Sequence, residues 1–308
     1  MASSHSRDEH YQAYQFEDPE LDATINSTAT LNIDILLYGE TGTGKDTLAE
    51  RLHSLSGRRG HYIAINCAAI PESLAESQLF GVTHGAFTGA MQSRAGFIEA
   101  SDMGTLYLDE IDSMPLILQA KLLRVLETRG VERLGSTRSI PVDMRVIASA
   151  QSSLSEMVEQ GRFRRDLYYR LNVVSLHLPP LRERRERREH IIPLFLNLIQ
   201  REANYFNSSI PVPSTSLLQR VICHDWPGNV RELRSVAKRL VLGLPPLLTC
   251  SGVNNNDEKS LKLRLQQIEK LIIQDSLRRH LYSLDAVVLE LGVAKRTLYH
   301  RMKQLEIS

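Results

Sequence analysis

A glycine-rich segment, Gly39-Glu-Thr-Gly-Thr-Gly-Lys45, constrains the fold of this 308-residue chain more than any other feature. It follows a short apolar run at Ile33–Leu37 and precedes a stretch with helical spacing, Lys45–Leu55. The apolar run predicts a buried strand. Glycines between strand and helix let successive backbone N–H groups converge on a phosphate, and the helix N-terminus adds partial positive charge. The segment therefore predicts a phosphate-binding loop, with a glycine-rich turn of a redox or binding fold as the alternative.

The remaining apolar patterns indicate the fold class and the domain boundaries. Further strands are predicted at His61–Ile65, Thr105–Leu108 and Val142–Ser149, and their alternation with helical stretches predicts an α/β domain with a mainly parallel sheet. Beyond Pro179–Pro180 the strand pattern stops, and Ile191–Glu202, Ser214–Ile222 and Asn229–Leu242 have helical spacing. The predicted parts are a polar tail at 1–20, an α/β subdomain at 21–176, a helical subdomain at 177–245, a linker at 246–260 and a third unit at 261–308.

Composition excludes several classes of protein. Hydrophobic residues at 42% and charged residues at 24% are ordinary globular values. Three well-separated cysteines, Cys67, Cys223 and Cys250, exclude a disulfide scaffold and show no metal-ligand spacing, which favours a reducing cytoplasm. The N-terminus lacks the apolar core of a signal peptide, and no apolar run approaches the ~20 residues of a membrane span. We expect a cytoplasmic protein with no membrane partner.

Two acidic residues, Asp109 and Glu110, follow the strand predicted at Thr105–Leu108. Asp109 can hold magnesium, through water, and Glu110 can orient and deprotonate an attacking water. An isolated Asp-Glu pair is more often a solvated strand end, but this pair follows a phosphate loop within one α/β pattern. The two motifs together predict a nucleotide hydrolase in which hydrolysis depends on Glu110. Asp46 stands where Ser or Thr usually ligates magnesium, and Thr47 comes one residue later.

Between these motifs lies a segment of small residues around one Phe and one Thr: Gly85-Ala86-Phe87-Thr88-Gly89-Ala90. It suits an exposed loop tip that contacts another protein, although core packing of Phe87 is an equal alternative. The hexapeptide is the signature of the AAA+ activators of sigma-54 RNA polymerase, the bacterial enhancer-binding proteins. The chain resembles this family from about residue 20 to 245 and again at its C-terminus.

The resemblance implies an AAA+ P-loop NTPase, with a parallel sheet core and a small helical lid, followed by an all-α helix-turn-helix domain. It implies ATP and magnesium as cofactors, and a homo-hexameric ring or a hetero-hexamer with a paralogue. ATP hydrolysis in that ring would remodel the closed complex of sigma-54 RNA polymerase, which the loop at 85–90 contacts. The nucleotide-binding residues it implies are Gly39, Glu40, Thr41, Gly42, Thr43, Gly44, Lys45, Asp46, Thr47 and, in Trp226-Pro-Gly-Asn-Val-Arg231, Arg231.

Three further residues take catalytic roles from the resemblance alone. Asn66, in Ile65-Asn66-Cys67, would hold the catalytic glutamate until the loop is engaged. Arg164 and Arg170 match the arginine fingers that neutralise charge at the neighbouring subunit's γ-phosphate; without the resemblance they read as ordinary surface arginines. An acidic residue at Asp46 is usual in the family. The pair Ala150-Gln151 departs from it, because relatives carry Thr-Asn there; Gln151 could still reach the γ-phosphate.

The C-terminal unit is locally basic, with nine Lys+Arg against five Asp+Glu in residues 261–308. Helices predicted at Leu263–Arg279, Ser283–Leu291 and Ala294–Gln304, with a turn at Gly292, indicate a helix-turn-helix unit for double-stranded DNA, or only an exposed basic helix. The candidate DNA contacts are Lys295, Arg296, Thr297, Tyr299, His300, Arg301 and Lys303. The charged run Arg182–Arg188 is interpreted as a solvated, ion-paired surface.

Within the family, the chain resembles most the short HrpS-type regulators of type III secretion genes. A twenty-residue tail cannot hold a receiver domain, so we expect control in trans, for example by an inhibitor, or through expression level. Two rival interpretations remain: a DNA-binding ATPase of another AAA+ branch, and a non-enzymatic DNA-bound regulator whose nucleotide site is only structural.

Overall fold

The computed structural model of the chain describes residues 19–86, 92–183, 187–246, 273, 277 and 284–305. The chain divides into two compact units, Met1–Leu248 and Thr249–Ser308. The helices of the first unit are α1 (Pro19–Ala29), α2 (Lys45–Leu55), α3 (Glu72–Phe80), α4 (Phe97–Ala100), α5 (Leu116–Thr128), α6 (Leu154–Glu159), α7 (Arg165–Leu171), α8 (Arg187–Tyr205), α9 (Thr215–Cys223) and α10 (Asn229–Val241). Its strands are β1 (Ile35–Tyr38), β2 (Tyr62–Asn66), β3 (Thr105–Asp109), β4 (Gly130–Glu132), β5 (Ser139–Pro141), β6 (Arg145–Ala150) and β7 (Val174–His177).

Five strands form one parallel sheet in the order β2-β3-β6-β1-β7, and β4 and β5 form a separate antiparallel pair. Leu37 pairs with Ser149, and Asn66 pairs with Asp109. Because the strands are parallel, their carboxyl ends share one edge of the sheet. This edge receives the phosphate loop, Gly39–Lys45, and the Asp109–Glu110 pair, with the end of β6 between them.

The sheet is buried on both faces. Leu36, Leu106 and Leu108 pack in one cluster with residues of α5 and α7, whereas their strand neighbours Leu37 and Tyr107 pack on the opposite face with residues of α1 and α2. Strands buried on both faces have nearly continuous apolar sequences, which is why most of them could be predicted.

Helix α1 is fixed to the sheet by a buried arginine at the start of β6. Arg145 is only 1% exposed. Its guanidinium donates to the carbonyl oxygens of Thr28, at 2.9 Å, and Ala29, at 2.6 Å, and its Nε donates to Ile33 at 3.0 Å. The cation therefore caps the C-terminal end of α1, where the helix dipole favours positive charge.

Helices α8, α9 and α10 form the lid around their own apolar core, which includes Trp226, Phe195 and Leu233. The Trp226 indole is fully buried, and its Nε1 donates to the Val221 carbonyl at 2.9 Å. Helix α9 begins after Ser214, whose side chain accepts a hydrogen bond from the Leu217 amide at 3.3 Å.

Several boundaries differ from those predicted. Helix α2 has the predicted bounds, because Gly44, in a left-handed conformation, sets its start. Helix α1 begins inside the predicted polar tail; residues 1–18 lie outside the described residues. Strand β2 begins and ends one residue later than predicted, β3 ends one residue later, and β6 begins at Arg145 rather than Val142. Strand β7, the pair β4–β5, and the bounds of the helices α1 and α3 to α7 were not predicted.

In the second unit, α11 (Leu284–Leu291) and α12 (Lys295–Gln304) are joined through Gly292, which has a φ of +62°. Val287 and Leu298 of these helices are buried together with Ile273, Leu277 and Leu305. Of the helix predicted at 263–279, the structure describes only residues 273 and 277. Among all the described residues, no helix is both long enough and apolar enough to cross a membrane.

Candidate active site

The phosphate loop closes around the side chain of Lys45. Lys45 is buried, and its Nζ donates to the carbonyl oxygens of Gly39 at 2.7 Å and Glu40 at 3.1 Å. Burial lowers the pKa of Lys45, and nearby carboxylates, Asp109 foremost, oppose that shift. An ammonium thus lies inside the turn at the N-terminus of α2, which is the arrangement that binds the phosphates of a nucleotide.

Asp109 is held by donors from three other positions on the sheet. Its Oδ1 accepts from Ser149 Oγ at 2.5 Å and from the Tyr107 hydroxyl at 3.2 Å, and its Oδ2 accepts from Asn66 Nδ2 at 3.0 Å. The Tyr107 hydroxyl also lies 2.9 Å from Asp46 Oδ1. Burial, reinforced by Asp46, raises the pKa of Tyr107 far above its ordinary value, so the hydroxyl keeps its proton and remains a donor.

Carboxylate oxygens of Asp46 and Asp109 therefore both lie within 3.2 Å of one hydroxyl oxygen. Magnesium is commonly bound by one or two carboxylates together with waters and phosphate oxygens, so this pair fits that ion. Within the described ranges, no cluster of three or more His, Cys, Asp or Glu residues could hold a metal. An ion here would need oxygen ligands from a nucleotide and from water.

Glu110 has an unusual backbone conformation, with a φ of +53° and a ψ of +49°. Its backbone amide donates to Ser149 Oγ at 3.1 Å. Its carboxylate Oε1 accepts from Gln151 Nε2 at 2.9 Å. A left-handed conformation at a non-glycine residue costs of order 1 kcal/mol or more, and such residues cluster at active sites.

The side-chain amide of Asn66 donates to Asp109 and not to Glu110, whereas the resemblance implied that Asn66 holds the catalytic glutamate. Asn66 and Asp109 are directly opposite each other in the register of β2 and β3. The remaining Asn66 oxygen accepts from the backbone amides of Ala68, at 2.9 Å, and Ala69, at 3.0 Å. In this structure the side chain that holds Glu110 is Gln151.

The lid binds the phosphate loop through Asn229, which starts α10 with a φ of +52°. Asn229 is buried; its Oδ1 accepts from the Leu181 amide at 2.7 Å, and its Nδ2 donates to Glu40 Oε2 and the Thr41 carbonyl, each at 3.1 Å. Glu40 also accepts two hydrogen bonds from the Arg182 guanidinium, one of them at 2.8 Å. Arg182, with help from Asn229, lowers the pKa of Glu40 to about 2.

Gly42 brings the loop into backbone contact with the lid. The amide of Val230 donates to the Gly42 carbonyl at 2.9 Å. Gly42 has a φ of +79°, and a Cβ there would lie 2.5 Å from the Gly228 carbonyl oxygen and 3.0 Å from the Cβ of Arg231. Arg231, exposed at the start of α10, therefore borders the phosphate loop, and its contact with the phosphates of a nucleotide stays a prediction.

The two candidate arginine fingers pair with acidic side chains outside the chain's own phosphate loop. Arg164 is exposed and pairs with Asp166, at 2.7 Å between Nη2 and Oδ2. Arg170 Nη1 donates to Oδ2 of the buried Asp34 at 2.7 Å. Asp34 directly precedes β1, so it lies at the edge of the sheet opposite the phosphate loop. Any role of these arginines at a neighbouring subunit stays a prediction.

Of the candidate sigma-54 loop, Gly85 and Ala86 are described, and Phe87, Thr88, Gly89 and Ala90 lie outside the described residues. The loop emerges after α3 and is fixed at its base, where Val82 exchanges backbone hydrogen bonds with Arg94 at 2.9 and 2.8 Å. Thr83 donates from its backbone to the Leu134 carbonyl at 3.0 Å, next to the β4–β5 pair.

Most of the candidate DNA contacts lie on the exposed side of α12. The exposed residues are Lys295, Arg296, Thr297, Tyr299, His300 and Arg301; the side chain of Lys303 lies outside the described residues. Leu298 is buried in the small core of this unit. The separation of polar from apolar side chains on this helix agrees with the predicted pattern.

Sequence reasoning did not assign roles to Tyr107, Ser149 and Asn229. Tyr107 could have been found from the period of a strand, because residues two positions apart share a face and Asp109 follows it by two. Ser149 is a polar residue in an otherwise apolar strand, but its contact with Asp109 depends on the strand order. Asn229 stood inside the quoted Trp226–Arg231 motif.

The comparisons with known proteins agree with this geometry. The sigma-54 interaction domain family matches residues 17–177, and the AAA+ ATPase lid domain family matches residues 185–246. A protein of Pseudomonas syringae pv. syringae named "Pathogenicity locus probable regulatory protein HrpS" is 57% identical over 289 residues, which cover 94% of this chain and 95% of that protein. The "Pathogenicity locus probable regulatory protein WtsA" of Pantoea stewartii subsp. stewartii is 55% identical over 291 residues, covering 94% and 88%.

A solved structure shows the same fold with a nucleotide. The crystal structure of NtrX from Brucella abortus in complex with ATP has a TM-score of 0.66 and 30% sequence identity, and the match covers 94% of this chain and 67% of NtrX. A parallel sheet, a phosphate loop and a helical lid are the parts of an AAA+ P-loop NTPase. The chain therefore belongs to the sigma-54 interaction domain family of AAA+ ATPases.

Proposed function

We propose that this chain hydrolyses ATP, in a ring, to remodel sigma-54 RNA polymerase at promoters while it is bound to upstream DNA. The observation that carries the proposal is the meeting of Lys45, Asp109 and Glu110 at one edge of the sheet, beside the lid. Membership of the sigma-54 interaction domain family supports sigma-54 RNA polymerase as the enzyme on which the ATPase acts.

The residues of the site divide the work of phosphoryl transfer. Lys45 and the backbone amides of the phosphate loop bind the phosphates, and Arg231 reaches them from the lid. Asp109, with Asp46 beside it, would hold magnesium through water, and the bound ion would neutralise charge on the phosphate oxygens. Glu110 orients the attacking water and takes its proton. The water oxygen bonds to the γ-phosphorus as the bond to the ADP oxygen breaks.

A neighbouring subunit would complete the site in a homo-hexamer or in a hetero-hexamer with a paralogue. Negative charge develops on the γ-phosphate during hydrolysis, and a further cation is needed to neutralise it. Lys45 of the chain's own phosphate loop would already bind the phosphates before the reaction begins. Arg164 is exposed on its own surface and is free of the sheet, which suits a finger directed at another subunit. For Arg170 to act as a second finger, its hydrogen bond to Asp34 would have to break.

Transmission to sigma-54 would use the segment that joins Asn66 to the loop at 85–90. Asn66 contacts Asp109, and the chain continues from it into α3 and then into the loop. A change at Asp109 on hydrolysis would therefore be passed along a short covalent path. Contact with sigma-54 is proposed for Gly85 to Ala90 as a unit.

The second unit would act as a helix-turn-helix domain that tethers the ring to double-stranded DNA. This proposal is supported by α12, whose basic side chains are exposed while Leu298 is buried in the core of the unit. The relatives named as pathogenicity locus regulators support a role in virulence gene control, for which we propose type III secretion genes as targets. We also propose that an inhibitor acting in trans controls the activity of this protein.

The test of hydrolysis is Glu110→Gln, compared with Glu127→Gln on the exposed side of α5. We expect Glu110→Gln to bind ATP but to release phosphate at least about 100-fold more slowly. It should also lose transcription from a sigma-54 promoter with purified polymerase, whereas Glu127→Gln should keep both. Unchanged phosphate release and transcription in Glu110→Gln would eliminate hydrolysis as the source of energy.

The test of the sigma-54 contact is Thr88→Ala. We expect this variant to hydrolyse ATP at the wild-type rate and to lose sigma-54 binding and open-complex formation. If activation persists at the wild-type level, the loop is not the contact, and a DNA-binding ATPase of another AAA+ branch becomes the better interpretation.

A further inference from the structure

We propose that Gln119, a buried side chain of α5, is a positioning residue for Arg164 and directs that arginine at the nucleotide of the neighbouring subunit. The proposal rests on the proposed function, in which Arg164 completes the neighbour's site. Its first support is burial: Gln119 is 0% exposed, although glutamine is mostly an exposed residue. A buried amide is stable only when its donors and its acceptor have partners, so the partners of Gln119 show what it holds.

The partners of the Gln119 side chain are three backbone groups. Its Oε1 accepts from the backbone amide of Arg164 at 2.8 Å. Its Nε2 donates to the carbonyl oxygens of Met114, at 2.7 Å, and Arg162, at 3.3 Å. These partners also fix which way round the side-chain amide lies, because an N–H needs an acceptor and a carbonyl oxygen needs a donor.

Gln119 bonds to the segment before α7 much as a neighbouring strand would. The carbonyl of Arg162 and the amide of Arg164 flank Phe163, and both bond to this one side chain. Phe163 is buried in the same core cluster as the apolar residues of α5. The carbonyl of Met157 accepts from the amides of Arg162, at 2.9 Å, and Phe163, at 3.1 Å. The backbone that carries Arg164 is therefore fixed where it leaves the core.

The Arg164 side chain itself is much less confined than its backbone. Its side chain is 42% exposed, and its guanidinium pairs with Asp166. The residue precedes α7 with a φ of −75° and a ψ of 130°, outside the helical region. Because a long exposed side chain has many rotamers, the position of its backbone decides which places the guanidinium can reach. A misplacement of about 1 Å at a reacting group can cost about 100-fold in rate.

The third bond of Gln119 reaches towards the chain's own active site. Met114 follows Glu110 by four residues, in the turn that leads from β3 into α5. Two observations favour Arg164 as the residue that Gln119 positions. The segment of Arg162 and Arg164 receives two of the three bonds, including the one that the Gln119 oxygen accepts. Met114 is also held by its own backbone, since its amide donates to the Ile111 carbonyl at 3.0 Å.

The first test is hydrolysis by Gln119→Met, which replaces the amide by an apolar group of similar length. We expect this variant to bind a nonhydrolysable ATP analogue like the wild type and to hydrolyse ATP about 10- to 100-fold more slowly. Gln200→Met, on the exposed side of α8, is the matched control and should hydrolyse ATP at the wild-type rate.

Mixed rings separate an effect on the finger from an effect on the chain's own site. Each site in a ring combines the glutamate of one subunit with the finger of the next, so Glu110→Gln subunits still supply a finger and Arg164→Ala subunits still supply a glutamate. An equal mixture of Gln119→Met and Glu110→Gln should regain up to about one quarter of the wild-type rate, which is the share of sites with two intact halves. A mixture of Gln119→Met and Arg164→Ala should stay inactive, because neither subunit supplies a positioned finger.

The opposite pattern would overturn the proposal. Recovery with Arg164→Ala would show that Gln119 acts on its own subunit's site through Met114, and lack of recovery with Glu110→Gln would show that its finger is not the part at fault. The mixture of Arg164→Ala and Glu110→Gln tests the proposed function, because it needs only a finger that acts on a neighbour. If this mixture recovers and the Gln119→Met mixtures do not follow the expected pattern, the inference alone fails; if it stays inactive, the proposed role of Arg164 fails and the inference with it.

Hydrogen exchange of the Arg164 backbone amide tests the contact without any catalysis. In the wild type we expect this amide to exchange at least about 100-fold more slowly than in an unfolded chain, because its acceptor is a buried side chain. In Gln119→Met it should exchange at least about tenfold faster than in the wild type. The wild-type measurement needs no variant, so it remains decisive even if Gln119→Met does not fold. A wild-type Arg164 amide that exchanges as fast as in an unfolded chain would overturn the proposal.

Discussion

Replacing Asn229 by alanine would show how much of the contact between lid and phosphate loop depends on one side chain. Asn229 is buried and bonds to Leu181 at the base of the lid and to Glu40 and Thr41 in the phosphate loop. Its backbone has a φ of +52°, which asparagine tolerates better than alanine.

The expected loss follows from two of these features. The Leu181 amide would lose its acceptor in a buried position, which costs about 1–3 kcal/mol. Alanine in a left-handed conformation costs about 1–2 kcal/mol. Losing the hydrogen bonds to the phosphate loop adds little to this cost. Thr41 is exposed to water, and Glu40 keeps its hydrogen bonds from Arg182. We expect Asn229→Ala to lower the free energy of unfolding by about 2–5 kcal/mol.

Urea unfolding can be followed through Trp226, the single tryptophan of the chain, which is buried in the lid. Asn207→Ala is the matched control, because Asn207 has a φ of +49° but is exposed, so it reports the backbone cost alone. If Asn229→Ala and Asn207→Ala agree within about 0.5 kcal/mol, the side-chain contacts do not stabilise the lid.

Three further variants or treatments test other parts of the structure. Arg145→Met should lower the free energy of unfolding by about 3–5 kcal/mol in the same urea assay, because the carbonyl oxygens of Thr28, Ala29 and Ile33 lose their donor. A loss below about 1 kcal/mol would contradict this role of Arg145. Arg182 depresses the pKa of Glu40, so the pair stabilises above about pH 4.5 and less as the pH falls towards 2. Glu40→Gln should therefore be less stable than wild type by at most about 1 kcal/mol at pH 7, with the difference shrinking towards pH 3; a difference that grows would exclude the ion pair. Burial and nearby carboxylates raise the pKa of the Cys67 thiol to about 12. Iodoacetamide at pH 8 should therefore modify Cys67 at least about tenfold more slowly than the exposed Cys223, as measured by peptide mass spectrometry. Equal rates of modification would contradict the burial of Cys67.

The predicted elements were those whose pattern is set by local burial. Helix α2 and the central strands are continuously apolar or periodic over their length, so the sequence indicates them directly. Strand β7 was missed because it lies at the edge of the sheet, where only Leu176 of its four residues is buried. Helix α1 was missed because Arg145, far along the chain, helps to hold it.

The phosphate loop and the Asp109–Glu110 pair could be predicted because each is one continuous segment. The contact of Glu110 with Gln151 could not, because it depends on β6 lying beside β3 and on Asp112 tying the two turns together. The interpretation of Asn66 as the partner of Glu110 came from resemblance, and the register of β2 against β3 places its amide one residue earlier, on Asp109.

The position of Gly42 changes how variants of the phosphate loop should be interpreted. A methyl group there would collide with the Gly228 carbonyl, at 2.5 Å, before any nucleotide is present. A larger residue at this position would therefore push the start of α10 away from the phosphate loop. Weak ATP binding in such a variant would report the displacement of the lid from the phosphate loop, whereas a variant of Lys45 would report the loss of a charged group from the loop itself.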